Sequence, residues 1–181
     1  MGNDARAETQ FREVLRSSPM DEGANNNLGN VLIARGETDS AEVHFRRALE
    51  SDTNLAQANQ NLGDILLGRK EYNKAIEHYL RALEARPKKA LIHWSLGSAY
   101  EAAGMLGPAE DSYRAAMAAE PGFPRSYFSL GTMLFGLHRW PETITLFEQF
   151  LSMWKGDERF ITFAEGRIKA SQDWIARMDK K

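Results

Sequence analysis

Apolar and small residues recur along the chain in an order that repeats at a fixed interval. The recurrence is marked by a Leu-Gly pair, which occurs at Leu28-Gly29, Leu62-Gly63, Leu96-Gly97 and Leu130-Gly131. Leu28, Val31 and Leu32 have the three- and four-residue spacing of one helix face, as do their counterparts in the later units. The pattern therefore predicts four amphipathic helices, near 22–35, 56–69, 90–103 and 124–137.

A second set of recurring positions predicts a partner for each of these helices. A small residue stands twelve positions after each glycine, at Ala41, Ala75, Ala109 and Thr143. An aromatic residue follows four positions later, at Phe45, Tyr79, Tyr113 and Phe147. The second helices are predicted near 39–52, 73–86, 107–120 and 141–154. We expect Asp39 and Asn73 to cap two of them, since Asp and Asn are favoured at helix starts.

The glycines are predicted to lie where two helices come close together. A glycine in the middle of a helix costs about 1 kcal/mol relative to alanine. Four glycines in phase therefore indicate that closer helix packing offsets this cost, because small residues let helix axes approach each other.

These columns resemble the tetratricopeptide repeat, in which W-x2-L-G-x2-Y is followed by A-x3-F, A and P. The third unit fits best, with Leu96, Gly97, Tyr100, Ala109, Tyr113, Ala116 and Pro121. The resemblance implies an all-α fold, a right-handed α-solenoid of antiparallel helix pairs with the first helices lining a concave groove. The first aromatic column departs from the family and reads Asn25, Asn59, His93 and Tyr127, so we expect weaker filling between the paired helices of the first two units.

The repeat pattern predicts one tetratricopeptide domain over residues 1–181. Its predicted parts are a half repeat at 3–20 that supplies only a second helix, repeats at 22–55, 56–89, 90–123 and 124–157, and a capping helix at 158–178. Because the pattern begins in the middle of a repeat, Phe11, Val14 and Leu15 are expected to leave an apolar face partly exposed. Weak homodimerisation or end-to-end stacking is the expected consequence.

Composition excludes several classes of function. Lys plus Arg is 23 and Asp plus Glu is 25, so the net charge of −2 argues against a nucleic-acid partner. The absence of cysteine excludes disulfides, thiolate zinc sites and cysteine nucleophiles. No apolar run is long enough for membrane insertion, and no signal peptide is evident, so a cytoplasmic location is the default expectation.

Catalysis has no support in the sequence. The motifs G-x-x-x-x-G-K, H-E-x-x-H and G-x-S-x-G are all missing. His44 and His78 occupy equivalent positions on adjacent second helices, but no third metal ligand accompanies them, and we interpret them as surface histidines. We therefore predict a protein that is not an enzyme and that has no cofactor, no metal site and no catalytic residues.

A peptide-binding groove is predicted on the first helices, at positions turned away from the Leu-Gly face. Its predicted residues are Asn26, Asn27, Asn30, Gln60, Asn61, Asp64, Trp94, Ser98, Phe128 and Phe135. Carboxamides both donate and accept hydrogen bonds, so they suit the backbone of an extended peptide. Aromatic residues suit an apolar side chain. Two alternatives are that the asparagines are caps or merely solvated, and that the aromatic residues pack on neighbouring helices, with Phe135 covered by the last one.

The predicted function is that of a protein–protein interaction scaffold, which binds an extended or helical segment of a partner protein. Two alternatives remain open from the sequence. The chain is a substrate-recruiting module of a larger enzyme, of glycosyl- or sulfotransferase type, or it is a self-assembling bacterial scaffold.

Overall fold

The fold is known from a computed structural model, which describes residues 2–180, with side chains from residue 5 onward. Over this range the chain forms ten α-helices and no strands. They are α1 (Gly2–Ser17), α2 (Glu22–Ala34), α3 (Thr38–Ser51), α4 (Ala56–Gly68), α5 (Tyr72–Ala85), α6 (Ala90–Ala102), α7 (Leu106–Ala119), α8 (Pro124–Gly136), α9 (Trp140–Met153) and α10 (Glu158–Met178). From α2 to α9, each helix begins and ends within one residue of its predicted bounds, so the predicted helices are confirmed.

The predicted caps of the second helices are wrong. Helices α3 and α5 begin one residue earlier than predicted, after Glu37 and Glu71, and neither glutamate makes a side-chain capping bond. Backbone geometry ends the preceding helix instead: the N–H of Glu37 donates to the carbonyl of Leu32 at 2.9 Å. The turn before it contains Gly36 with φ of 79°, a left-handed conformation that glycine adopts without steric cost. Asp39 therefore lies inside the first turn of α3 rather than before it.

The chain divides into two compact units. The first comprises the residues up to Pro87 together with Ala102–Gly104, and the second comprises 88–101 and the residues from Met105 onward. In the first unit α2 packs against α3 and α4 packs against α5, with further contacts between α1 and α2 and between α3 and α4. In the second unit α8 packs against α9, α10 packs mainly against α9, and α7 contacts α8.

Each glycine of a Leu-Gly pair lies against the aromatic ring of the partner helix, as the small-residue column predicted. A Cβ atom added to Gly63 would lie 2.7 Å from Cε1 of Tyr79. The corresponding distance at Gly131 is 3.3 Å, to the ring of Phe147. Both rings are fully buried. The glycine therefore makes room for a large apolar side chain, which explains why it recurs in phase.

Buried carboxamides take the place of the missing aromatic residues in the first two repeats. Asn25 is fully buried, and its Nδ2 donates to the carbonyls of Pro19 and Asp21 at 3.0 and 2.9 Å. Its Oδ1 lies 2.9 Å from Nδ1 of His44 on α3. The side chain thus joins the paired helices by hydrogen bonds where the family pattern has an aromatic residue, and the weaker filling stays a prediction.

The same bridge recurs one repeat later between Asn59 and His78, where Oδ1 and Nδ1 are also 2.9 Å apart. Both histidines are half-buried, which corrects their interpretation as surface residues. Burial lowers the pKa of His78, and the charges of Arg81 and Arg46 lower it further.

Candidate peptide-binding surfaces

The first unit presents a row of polar side chains along α2 and α4, formed by Asn27, Asn30, Gln60, Asn61 and Asp64, which we call the carboxamide row. Asn61 Nδ2 donates to Asn30 Oδ1 at 2.7 Å and links the two helices. Asn27 is exposed, and Gln60 is half-buried. The row therefore holds two carboxamides in fixed orientation and leaves others turned toward solvent.

Asp64 is the acidic member of this row and contacts α5. Its Oδ1 accepts a hydrogen bond of 2.6 Å from the hydroxyl of Tyr79. Beside it lies an open cavity of about 350 Å³, lined by Ile33, Thr38, Asn61, Asp64, Ile65, Gly68 and Arg69. Two members of the carboxamide row thus share a cavity with apolar side chains.

Asn26 does not belong to an open surface, contrary to its predicted place in the groove. Only 4% of the residue is exposed, and its Nδ2 is 3.4 Å from Oδ1 of Asn27 and 3.5 Å from Oε1 of Gln57. Its Oδ1 is buried without a hydrogen-bond partner among the described residues. Helical spacing placed Asn26 on the outward face, but its side chain is buried and its amide lies against Gln57 of α4, so it presents little surface to a peptide.

The second unit contains an aromatic cavity of about 430 Å³. It is lined by Trp94, Arg125, Phe128, Ser129, Phe150, Trp154 and Phe160. Trp94 and Phe128, predicted as groove residues from different repeats, line this cavity together. The indole N–H of Trp94 donates to Ser129 Oγ at 2.9 Å, which fixes the orientation of the ring.

Phe128 is held in a cluster of aromatic rings. Its ring centroid lies 5.1 Å from that of Phe150, 5.2 Å from Phe160 and 5.3 Å from Phe163. Such tilted and edge-on pairs fix the positions of the rings beyond what burial alone would do. Phe128 therefore packs on neighbouring helices and also lines the cavity, and its role as a peptide-binding residue stays a prediction.

Arg125 brings a positive charge to the rim of the aromatic cavity. Its guanidinium carbon lies 5.5 Å from the centroid of the Trp94 ring, within the range of a cation–π contact. Arg125 makes no ion pair with any residue that the structure describes. The cavity therefore combines an apolar interior with an uncompensated charge at its edge.

The two other predicted groove residues of this unit do not line the cavity. Phe135 packs on Trp140, with a centroid distance of 5.1 Å, and the guanidinium of Arg167 on α10 covers it at 4.4 Å. Ser98 Oγ donates to the Trp94 carbonyl at 3.1 Å and accepts from the hydroxyl of Tyr113 at 3.3 Å. Phe135 thus follows the packing alternative, and Ser98 supports the helix that carries Trp94.

Five of the seven residues that line the aromatic cavity, Ser129 among them, are not in the predicted groove. Arg125 precedes Phe128, the first predicted groove position of its helix, and Phe150 belongs to a second helix. Trp154 and Phe160 flank the connection to α10, and their rings lie 5.3 Å apart. A density of aromatic residues between 147 and 163 was the available signal, and only the position of α10 shows that they meet.

No group of three metal-ligating side chains converges anywhere in the described part of the chain. Nor does any helix of residues 2–180 combine the length and the apolar character needed to cross a membrane.

The chain matches models of a known protein family. Two family models match the chain: one described as "Tetratricopeptide repeat" over residues 1–58 and one described as "TPR repeat" over residues 63–104. A search of curated proteins gave no match.

Solved structures resemble the chain over most of its length. A crystal structure of MamA has a TM-score of 0.78 at 25% identity, covering 84% of this chain and 89% of its own. PilF of Pseudomonas aeruginosa has a TM-score of 0.79 at 18% identity, covering 98% of this chain and 85% of its own. YrrB, described as a TPR protein with an unusual peptide-binding site, has a TM-score of 0.77 at 18% identity, with 92% and 84% covered.

The fold is thus an all-α solenoid of a type that serves typically as a non-catalytic scaffold for protein interactions. The family matches, the recurring sequence columns and the helix pairs agree, and the chain belongs to the tetratricopeptide repeat family.

Proposed function

We propose that this tetratricopeptide protein binds a segment of a partner protein and seats an apolar side chain of that segment in the aromatic cavity of the second unit. The observation that carries the proposal is the cavity itself, with about 430 Å³ of space between Trp94, Phe128 and Phe160. Binding pockets for small groups have volumes of a few hundred Å³ and mostly apolar walls.

The walls of the cavity suit a binding anchor because they are already rigid. Trp94 is held by its hydrogen bond to Ser129, and Phe128 is held by its neighbouring rings. A partner side chain that enters loses contact with water without requiring the walls to become ordered first, which favours affinity. Large aromatic residues in such positions commonly carry most of the energy of an interface.

Arg125 gives the cavity a preference for charge. Arg125 stands at the rim without an acidic partner in the described chain. A carboxylate next to the seated side chain of the ligand would therefore form an ion pair with it. The favoured ligand is therefore a segment that carries a bulky apolar residue beside Asp or Glu.

The carboxamide row of the first unit is proposed as a second contact surface. Asn27, Asn30 and Asn61 offer donors and acceptors that match the backbone of an extended segment whatever its side chains. Their proposed role is to add affinity, while the aromatic cavity supplies sequence preference. The similar structure YrrB bears a peptide-binding site by its description, which is compatible with such a role for this fold.

Selection of peptides from a random library on the full chain tests the proposal. We expect the selected sequences to share a bulky apolar residue next to an acidic one. Calorimetry with a selected peptide should show that Trp94→Ala weakens binding at least about tenfold, which corresponds to loss of one interface anchor. Arg125→Glu, at an exposed position, should also weaken it without affecting the fold.

Trp174→Ala is the matched control, because this tryptophan is 43% exposed on α10 and does not line the cavity. The proposal is contradicted if Trp94→Ala and Arg125→Glu bind selected peptides as tightly as the wild type does. An Asn27→Ala, Asn61→Ala variant tests the carboxamide row separately, with a smaller expected loss.

A further inference from the structure

A second cavity, in the first unit, carries a concentration of positive charge. It has a volume of about 350 Å³ and lies where α1, α2 and α3 meet. It is lined by Arg12, Leu15, Arg16, Pro19, Leu28, His44 and Arg47. Three guanidinium groups and one imidazole therefore face a common space, and none of these seven described residues is acidic.

Most of this charge is not neutralised within the molecule. Arg12 pairs with Glu8, with 2.8 Å between Nε and Oε1. Neither Arg16 nor Arg47 forms an ion pair with any residue in the described part of the chain. Two guanidinium charges are thus left uncompensated beside each other, in a protein whose overall charge is slightly negative.

His44 lies in the same cavity as these arginines. Asn25 uses its Nδ2 to donate to backbone carbonyls, so its Oδ1 accepts from His44, and the imidazole carries its proton on Nδ1. Burial lowers the pKa of His44, and the charges of Arg47 and Arg12 lower it further. The guanidinium groups therefore reach the imidazole electrostatically from both α1 and α3.

The next repeat provides an internal comparison. Shifted by one repeat, Arg12, His44 and Arg47 correspond to Arg46, His78 and Arg81. Arg16, however, corresponds to Glu50, a carboxylate. The next repeat thus keeps the histidine and two of the arginines. Only the position of Arg16 differs in charge.

We propose that this cavity binds a phosphoryl group. Guanidinium groups offer paired donors that match phosphate oxygens, and two uncompensated arginines balance a charge of about −1.5 to −2. Leu15, Pro19 and Leu28 supply the apolar part of the lining, while the three arginines are exposed to an incoming anion. The site lies in the first unit and does not depend on the aromatic cavity.

The test uses NMR of the full chain, titrated with inorganic phosphate against sodium chloride at constant ionic strength near neutral pH. The imidazole resonances of His44 and His78 report on the two equivalent positions in one spectrum. We expect a saturable shift at His44 and little change at His78. Arg16→Glu, which copies the residue of the next repeat, should weaken phosphate binding about tenfold, as expected when a charge-assisted bond is lost.

Arg81→Glu is the control: it makes the same change of charge, but beside His78 in the next repeat. It should leave the response of His44 to phosphate intact. Backbone amide spectra verify that both variants are folded. The proposal is overturned if His44 and His78 shift alike, if the shift does not saturate, or if Arg16→Glu leaves it unchanged. A further titration with a phosphoserine peptide identifies the source: tighter binding than phosphate indicates a protein-borne group, and equal binding indicates the free anion.

Discussion

Among single residues, the glycine of each Leu-Gly pair determines how closely two helices approach. The ring of Tyr79 occupies the space that a side chain at Gly63 would need, whereas the ring of Phe147 leaves more room at Gly131. These two positions have the same role in the repeat but differ in tolerance. The sequence predicted the close approach at all four glycines, but only the structure distinguishes their tightness.

Substituting alanine at these glycines should therefore have unequal effects. Gly63→Ala forces a buried ring to move and should lower the free energy of unfolding by about 1–2 kcal/mol, because overpacking costs more than the helix propensity gained. Gly131→Ala should be nearly neutral or stabilise by up to about 1 kcal/mol. Urea unfolding of both variants checks this, and an equal loss at the two sites would contradict it.

The buried Asn–His bridges make stability depend on pH. The pKa of His78 is lowered in the folded protein, whereas an unfolded histidine has a pKa of about 6.5. The unfolded state therefore binds more protons, so this stabilisation is present above about pH 6.5 and is lost as the pH falls through the folded pKa.

Replacing the histidine by glutamine should remove this dependence while keeping the hydrogen bond, since a glutamine amide can donate to Asn59 Oδ1. Urea unfolding near neutral pH and near pH 5.5 should show a smaller difference for His78→Gln than for the wild type. The double variant with His44→Gln should reduce the difference further. If the free energy of unfolding of the double variant depends on pH as much as that of the wild type, this explanation is wrong.

At the scale of helices, clusters of arginine and glutamate join neighbouring repeats within each unit. In the first unit Glu42 on α3 pairs with Arg46 and with Arg69, which follows α4. In the second unit Glu110 on α7 pairs with Arg114 and with Arg139, which precedes α9. Glu42 and Arg46 recur two repeats later as Glu110 and Arg114, whereas Arg69 and Arg139 stand at different positions of the repeat, so the apolar columns of the sequence did not predict these clamps.

The clamp at Glu110 should contribute modestly to stability and should depend on salt. Hydrogen bonds from Arg139, and then from Arg114, hold the pKa of Glu110 below its ordinary value, so the contribution is present at neutral pH and lost as the carboxylate is protonated in acid. Glu110→Gln should cost less than about 1 kcal/mol in dilute buffer and less still at about 1 M salt.

Glu148→Gln on α9 is the matched control, because Glu148 is exposed and forms no ion pair with the described residues. Urea unfolding at low and high salt measures both variants. Equal losses in the two, or a loss at Glu110 that is insensitive to salt, would show that the clamp contributes nothing specific.

The helices themselves were predictable because the apolar and small residues recur with the spacing of a helix face and with the length of the repeat. The bounds from α2 to α9 follow from where each column starts and stops. The caps were not predictable in this way, because backbone bonds such as the one from Glu37 to Leu32 end the helices and no side chain marks them. Burial of Asn26 was missed for a related reason: helical spacing gives the direction of a residue but not what packs over it.

For the molecule as a whole, self-association remains a prediction. Phe11 and Leu15 on α1 are half-buried against the apolar cluster around Leu28 and Phe45, and Val14 is 42% exposed. The apolar face is thus partly covered, and only weak association is expected. Light scattering at rising concentration should show a growing average mass for the wild type and a constant one for Val14→Glu. A wild type that stays monomeric at the highest concentration would refute this prediction.

The proposed function requires that a partner segment enters the aromatic cavity. The sequence predicted Trp94 and Phe128 as groove residues, but the cavity also needs Arg125 on the same helix as Phe128, and Phe150 and Phe160 from α9 and α10. Aromatic residues distant in sequence meet only when α10 packs on α8 and α9, so the site follows from the fold rather than from a motif.

The most direct measurement is a crystal structure of the full chain with a peptide selected from a random library. We expect an apolar side chain of the peptide between Trp94 and Phe128, with a neighbouring carboxylate within hydrogen-bond distance of Arg125. A peptide bound elsewhere, with the aromatic cavity empty, would contradict it.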